Sequence, residues 1–599
     1  MTRGGSAARL YTRDVARRER SSRLSSRTRW IVRILLAVFV LWLMGSAAIE
    51  WRARTRTLDG LDRLDAARDQ ITASALLRGD ASRVLAAAHD DFSDAYSSAD
   101  SPLLAPWKVV PLVRQNVASA SSLTHAAADV ASIGARAASS SAALLKNSPS
   151  DGPTRLALLA KLEKITAQAD QALKRINLGP DFFLVAPLGD ARDRFAQRLA
   201  SLRSAVSGAD ALAGGMQRLL QGPRRYLVLV ANNAEMRAGS GMFLSAGVAT
   251  FANGAFTVGD FRPTPDFNLP AGAVAVPPDL EKLWGFLHPT EEWRNLASTP
   301  RFDVSASLAA QMWKASTGED VDGVLAVDPV TVRALLAAQG PIDAAGRHLS
   351  ATDVVGYLLR DQYAGVANGD PQAGRRDALG LVASAAVDTL QSRPWKTSDL
   401  VAQLGAAGQG RHVLAWAKDP TEEAAWTAGG VDGALHANSV ALSLMNVGAN
   451  KLDQFIHVDA RMSVADASGG GHEVTVRVKV SNEAPTGLSS YVSGPTPGTG
   501  LAEGDYSAII SLNTPGFGGL ARIEGLSSIV AGGVDGPTKV VAAGSLVVPR
   551  GATHIVTFRF RLPSGANEVL VESSARVPPV TWHFGGKDWV DTHPERASW

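Results

Sequence analysis

The first pattern along the chain is an unbroken apolar run. Residues 30–49 read WIVRILLAVFVLWLMGSAAI, and no charge falls between Ile34 and Ile49. A helix rises about 1.5 Å per residue, so about twenty such residues match the ~30 Å hydrocarbon layer of a bilayer. The run lacks the polar spacing of a core helix, and Trp30 and Trp51 bracket it as interfacial aromatics do. It predicts a membrane helix over residues 30–50. A cleaved signal peptide with Ser46-Ala47-Ala48 as its small-residue site is the competing reading; the long charged segment before the run and the length of the run favour an uncleaved anchor.

Beyond the anchor the period is helical. Leu158, Leu162, Ile165, Ala169, Ala172 and Ile176 form one stripe opposite Lys164, Gln171 and Lys174. Weaker stripes run over Leu58–Leu77 and Val117–Leu145, and prolines at 102, 106 and 111 break the helices around Trp107. Residues 51–222 are therefore expected to form a helical bundle or stalk. At Pro223 the pattern changes. Tyr226–Val230 reads as a strand, and Asn253-Gly254 is the two-residue turn of a hairpin joining Phe243–Phe251 to Ala255–Asp260. Ser305 is expected to cap a helix through Thr317, Val321–Val327 to be a buried strand, and Asp328-Pro329 to open a helix. Ser350 is expected to cap Ala351–Asp361, and Arg375–Gln391 is a further helical stretch. This alternation predicts a central mixed α/β domain over 223–437.

From about Ser439 the period becomes two. Val474, Val476, Val478 and Val480 share one face, as do Val556, Phe558, Phe560 and Leu562, so residues 438–575 are expected to form an antiparallel β-sandwich. Residues 576–599, with Trp582, Trp589 and Trp599, read as a C-terminal tail docked on it. The fold class is thus multidomain, α/β plus all-β, behind one transmembrane helix.

Charge sharpens this picture. Residues 1–56 carry thirteen arginines against Asp14, Glu19 and Glu50, whereas the whole chain is only +3. The body is therefore mildly acidic and offers no broad footprint for phosphate backbones, which argues against nucleic-acid binding. Nine arginines precede Trp30, so the positive-inside rule puts residues 1–29 in the cytoplasm and residues 51–599 outside a bacterial cytoplasmic membrane. The absence of cysteine excludes disulfides, thiol nucleophiles and cysteine-ligated metals. No His-x-x-x-His pair and no Gly-x-Ser-x-Gly elbow occurs.

Three stretches carry a family resemblance: YLVLVANNAEMRAGSGMFLSAG at Tyr226–Gly247, TGEDVDGVLAVDPVTVRALLAAQGP at Thr317–Pro341, and NVGANKLD at Asn446–Asp453. In this order they resemble the domain of unknown function 4012 family of bacterial membrane-anchored envelope proteins. The resemblance implies a place and a fold rather than a reaction. The chain is more distantly similar to the LytR–CpsA–Psr phosphotransferases, through Val321–Pro341, Leu349–Tyr363 and the arginines that follow. Where that family carries Arg-Ser-Asp-Thr and Ile-Pro-Arg-Asp, the nearest counterparts are Glu235-Met236-Arg237 and Asp260-Phe261-Arg262. The likeness implies wall glycopolymer or polyprenyl-pyrophosphate-linked glycan as ligand.

Pyrophosphate chemistry asks for cations on the bridging oxygens and, often, carboxylates holding magnesium. Arg237, Arg262, Arg375 and Arg376 are the candidate cations, and Glu235, Asp260 or Asp370 would hold Mg2+ if the protein is catalytic. Ordinary surface ion pairs are the plainer reading of these residues. Asn232 and Asn233 are candidates for sugar hydroxyls or phosphate; the alternative is that their amides satisfy the backbone of a tight turn. Trp284, Trp293 and Trp313 suit sugar stacking or, more simply, a core. The leading expectation is a cell-envelope protein that binds or transfers wall glycopolymer, and the rival is a non-catalytic scaffold for other envelope proteins.

Overall fold

The computed structural model describes residues 26–66, 73–109, 111–146, 149, 151–179, 184–364, 366, 373–393, 395–495, 498–519, 521–526 and 528–599. Most of the arginine-rich tail lies outside these.

Among the described residues six α-helices come first: α1 (Ser26–Ala66), α2 (Ala73–Arg78), α3 (Ser82–Ala99), α4 (Pro111–Leu145), α5 (Gly152–Lys174) and α6 (Ala186–Gln221). Within α1, Ile34–Asp65 is the one stretch among the described residues long and apolar enough to cross a membrane. Its first half exposes Leu35, Leu36 and Leu41, whereas Leu61 and Leu64 are buried against Leu85, Phe92 and Phe195 of the bundle. One continuous helix therefore serves both the apolar span and the bundle. Small residues allow this closeness: a methyl on Gly60 would come within 2.6 Å of the Phe92 ring.

The central part holds β1 (Arg224–Met236), β2 (Gly241–Ala252), β3 (Ala255–Val258), β4 (Arg262–Pro263), α7 (Pro278–Trp284), α8 (Phe302–Thr317), β5 (Gly323–Val327), α9 (Pro329–Gln339), β6 (Ile342–Ala344), β7 (Arg347–Leu349), α10 (Val354–Leu359), α11 (Ala373–Ser392), α12 (Thr397–Gln409), β8 (Val413–Ala417) and α13 (Pro420–Gly429). Its sheet runs β3-β2-β1-β5-β8, with β4 also on β2. The sheet is mixed, since β1 and β5 are parallel while the other pairs are antiparallel. Asn253 and Gly254 turn the β2–β3 hairpin, both at positive φ (53° and 78°), as that dipeptide favours. Asp328 caps α9 through the N–H groups of Val330 and Thr331, and Thr331 Oγ1 accepts from the Asp328 N–H to complete a capping box. Ser305 does not cap α8. That helix begins a turn earlier, at Phe302, and Ser305 Oγ donates instead to the Leu296 carbonyl. Ser350 likewise precedes the cap of α10, which is Asp353. Trp284, Trp293 and Trp313 are buried among Phe267, Leu280 and Leu308, so their rings pack a core and face no open surface.

The C-terminal part comprises β9 (Ser439–Asn446), β10 (Ile456–Asp466), β11 (His472–Asn482), the single turn α14 (Ser490–Ser493), β12 (Tyr506–Pro515), β13 (Arg522–Glu524), β14 (Ile529–Asp535), β15 (Thr538–Val548), β16 (Thr553–Leu562), β17 (Glu568–Val571), β18 (Thr581–Phe584), β19 (Lys587–Val590) and β20 (Glu595–Ser598). They make two six-stranded sheets, β13-β16-β11-β10-β18-β19 and β14-β15-β12-β9-β17-β20. Both contribute to one core through Val476, Val478, Phe558, Leu442, Ile510 and Val548. Two pairs, β10–β18 and β9–β17, are parallel, a departure from the all-antiparallel expectation. Residues 576–599 are no appendage. They supply three strands, and Trp582 is fully buried.

The second of these sheets also packs on the central part. Met445, Ile509 and Val540 face Trp284, Trp293 and Leu283 in a shared core. Every residue of β9 and β12 is therefore buried, whereas β11 and β16 of the outer sheet alternate.

Candidate functional site

The end of β1 is where the sequence candidates converge. The β1–β2 ladder loses register between Asn232 and Met236, so Asn233, Ala234 and Glu235 leave the sheet and turn toward the C-terminal strands. Gly241 permits the approach opposite: a Cβ there would lie 2.4 Å from the Asn232 carbonyl carbon. Asn232 Oδ1 accepts from the Ala234 N–H (2.9 Å), a local turn bond of the kind asparagine favours. Its Nδ2 donates to Tyr363 Oη (2.9 Å), while Asn233 Nδ2 donates to Asp328 Oδ2 (2.9 Å) and to the Ala575 carbonyl (2.8 Å). His412 Nδ1 closes on the same Asp328 oxygen at 2.6 Å.

Asp453 is the hub. One carboxylate oxygen accepts from Tyr506 Oη (2.7 Å) and Arg576 Nη1 (2.9 Å), the other from the Met236 N–H (3.0 Å) and Asn446 Nδ2 (2.9 Å). Both Asp453 and Arg576 side chains have no exposed surface, so each charge depends on the other. Burial acts on Arg576 to lower its pKa but Tyr506 and Asp453 outweigh it, and the net direction is upward; burial pushes the Tyr506 hydroxyl well above its usual value. Both groups stay protonated throughout the ordinary pH range.

Beside this hub Glu235 pairs with Lys451, whose ammonium sits 5.0 Å from the ring centres of both Tyr363 and Tyr491. Burial works against the Lys451 charge, but Glu235 and the two tyrosines more than compensate and its pKa rises. Arg237, buried, donates from Nε to the Arg294 carbonyl (2.9 Å) and from Nη1 to the carbonyls of Met236 (3.0 Å) and Asn446 (2.9 Å). Burial, the largest influence, lowers its pKa from the ordinary arginine value. Its fork thus joins β1, the 293–295 turn and β9 rather than facing solvent.

The structure brings together Asn232, Asn233, Glu235 and Arg237, and it holds Asp260 and Arg262 apart from them. Those two are exposed on the far edge of the sheet, where Arg262 lies over the Phe267 ring at 4.5 Å and pairs in register with Ala246. Helix α11 passes beside this edge, and a methyl on Gly380 would lie 3.1 Å from Phe261 Cβ. Arg375 and Arg376 are on α11, but their side chains fall outside the described residues, as does Asp370 altogether. Among the described residues no group of three or more His, Asp or Glu side chains is arranged to hold a metal ion.

Asp453 and Lys451 belong to the NVGANKLD stretch, yet their roles are invisible in the sequence, and nothing local marks Arg576, Tyr506 or His412 as their partners.

Residues 221–363 match the family model described as Protein of unknown function (DUF4012). A DUF4012 domain is present there. It begins just before β1 and ends at Tyr363, so it contains the bulged end of β1, Asp328 and the tyrosine that Asn232 contacts. Hub residues Asp453, Tyr506 and Arg576 lie outside it and complete its polar end from the C-terminal sheets. No curated protein and no solved structure matches the chain.

Proposed function

We propose that this is a membrane-anchored cell-envelope protein whose outer body, residues 51–599, acts as a rigid non-catalytic scaffold. The reading takes α1 as an uncleaved anchor with its arginine-rich end in the cytoplasm, and treats 51–222, 223–437 and 438–575 as a stalk, a central domain and a β-sandwich. The observation that carries it is the internal engagement of the Asn232–Arg237 stretch. Asn232, Asn233, Glu235 and Arg237 each bond to the protein itself, and the last three join the DUF4012 domain to the C-terminal part. Such a buried network fixes one relative placement of two sheets, the usual benefit of satisfied polar groups in a core.

A second reading, that the protein binds or transfers a wall glycopolymer or a polyprenyl-pyrophosphate-linked glycan, draws support from one place. Asp260 and Arg262 are exposed where α11, the helix of Arg375 and Arg376, crosses the sheet edge. Arginine forks there would suit a pyrophosphate, with Mg2+ as the companion ion.

One experiment separates the two. The full chain in detergent is titrated calorimetrically with a polyprenyl-pyrophosphate analogue and magnesium, and Arg262→Ala with Arg375→Ala is returned to a deletion strain. The scaffold reading expects no saturable binding and full complementation. Saturable binding that the double substitution abolishes, together with failed complementation, overturns it in favour of the glycan reading.

A further inference from the structure

The connection between α3 and α4 does not stay with the bundle. Residues 102–109, PLLAPWKV, form a 3-10 helix that folds back along the apolar half of α1. Trp42 stacks on Trp107, with ring centres 5.2 Å apart and planes 21° from parallel. Trp42 Nε1 donates to the Leu103 carbonyl at 3.0 Å, and Ser46 Oγ approaches the same oxygen at 3.5 Å. Both contact residues belong to the charge-free stretch Ile34–Ile49, and Trp42 lies nine positions before Trp51. At about 1.5 Å per residue this sets the contact roughly 13 Å toward the membrane interior from Trp51.

The span cannot slide to lift the contact out of the lipid. With Trp42 at the interface, the twenty residues needed to cross would run back past Arg33, Arg29, Arg27 and Arg23, and arginines within the hydrocarbon are strongly disfavoured. Lys108 apart, a residue type whose long stem lets its ammonium reach the headgroups, the turn consists of apolar residues. Leu103 is 47% exposed and Val109 82% exposed, although both are large aliphatic side chains. Pro102 and Pro106 carry no N–H, the Leu104 N–H donates to the Ser101 carbonyl, and the Leu103 carbonyl is met by α1. Non-helical backbone is tolerated at membrane depth only when its polar groups find protein partners, and the Leu104 N–H and Leu103 carbonyl have theirs.

We infer that Pro102–Val109 is inserted in the lipid leaflet on the C-terminal side of the span, where it lies against Trp42 and Ser46 as a second membrane contact. This rests on the reading of α1 as a membrane anchor. The contact would fix the tilt of the bundle, because α3 and α4, both joined to the turn, could not swing about α1.

The chain has no cysteine, so single labels can be placed cleanly. Leu103→Cys, Val109→Cys, Val40→Cys and Ile529→Cys, all exposed positions, are made in the full chain. Each carries an environment-sensitive fluorophore in phosphatidylcholine–phosphatidylglycerol vesicles, with doxyl-lipid and aqueous iodide as quenchers. The expected result is blue-shifted emission at 103 and 109, lost to doxyl-lipid as fully as at position 40 and insensitive to iodide, while position 529 behaves oppositely. Iodide quenching at 103 and 109 with doxyl quenching at 40 overturns the inference and leaves the anchor standing. Iodide quenching at position 40 as well removes the anchor and the inference together.

Discussion

The helical bundle and the junction behind β1 use the same chemical pair, arginine with aspartate, in opposite surroundings. In the bundle, Arg63 meets Asp91 at 2.6 Å with the arginine side chain 54% exposed although the carboxylate is largely covered, and Arg194 and Arg198 share a partly exposed Asp65. Water still reaches the arginine of each pair, so the bundle depends chiefly on Leu85, Phe92, Phe195 and many alanines. At the junction, Asp453 and Arg576 have no exposed surface at all. There the pair contributes little net stability, yet its members cannot be separated without leaving a charge in a dry core. The difference teaches that ion pairs in this protein set geometry where they are buried and add only modestly where they are wet.

The strongest way to break this contrast is at the hub. Asp453→Ala strips the acceptor from Arg576, Tyr506, Asn446 and the Met236 N–H, and we expect a loss of up to about 5 kcal/mol. Thermal unfolding of the full chain in detergent, followed by near-ultraviolet circular dichroism, reads it; an unchanged midpoint would sink the description of Asp453 as a hub. Phe92→Ala should cost about 3–4 kcal/mol through its cavity. That damage should stay in the bundle, so hydrogen exchange should quicken in α1 and α3 but not in β11 or β16. Equal quickening of the sheets would mean the two regions share one cooperative core.

Arg63→Ala should change stability by less than about 1 kcal/mol, because the Arg63 side chain is half exposed and Arg56 still reaches Asp91 at 3.1 Å. A larger loss would erase the distinction drawn above. The last effect is one of pH. Burial first, then Asp432 and Asp303, push Glu423 up to about 7, against the bond it accepts from the Ala417 N–H. The unfolded chain ionises this carboxyl near its ordinary value while the folded chain resists. Its contribution to stability is therefore greatest below about 4.5, declines as pH rises toward 7 and is constant above. In Glu423→Gln that part of the decline should vanish from denaturant midpoints measured between pH 4.5 and 8. A profile unchanged by the substitution would show that Glu423 titrates normally.

The comparison also marks what could be read early. The alternation of β11 and β16 was plain because one face of each meets the outer-sheet core and the other meets water. No such alternation exists in β9 or β12, which are covered on both faces, so period-two patterning could not find their register. Ser305 was a sound local cap, but the Leu296 carbonyl offered its hydroxyl a buried partner and α8 started at Phe302. Asn232, Asn233, Glu235 and Arg237 were legible as a cluster of interest, and their neighbours were not. Tyr363, Lys451, Asp453 and Arg576 lie more than a hundred positions away, and nothing in local spacing encodes such contacts.

By itself the amino-acid sequence determined the apolar span, the helical bundle after it, the hairpin at Asn253-Gly254 and the helix start at Asp328-Pro329. Each is governed by interactions within a few residues or by a simple periodic partition between water and an apolar phase. Tertiary structure alone decided that the arginine and asparagines at the end of β1 face inward, that residues 576–599 complete two sheets, and that the Pro102–Val109 turn lies against the span. Those outcomes depend on which distant surface covers a polar group, because desolvation is a property of the assembled core.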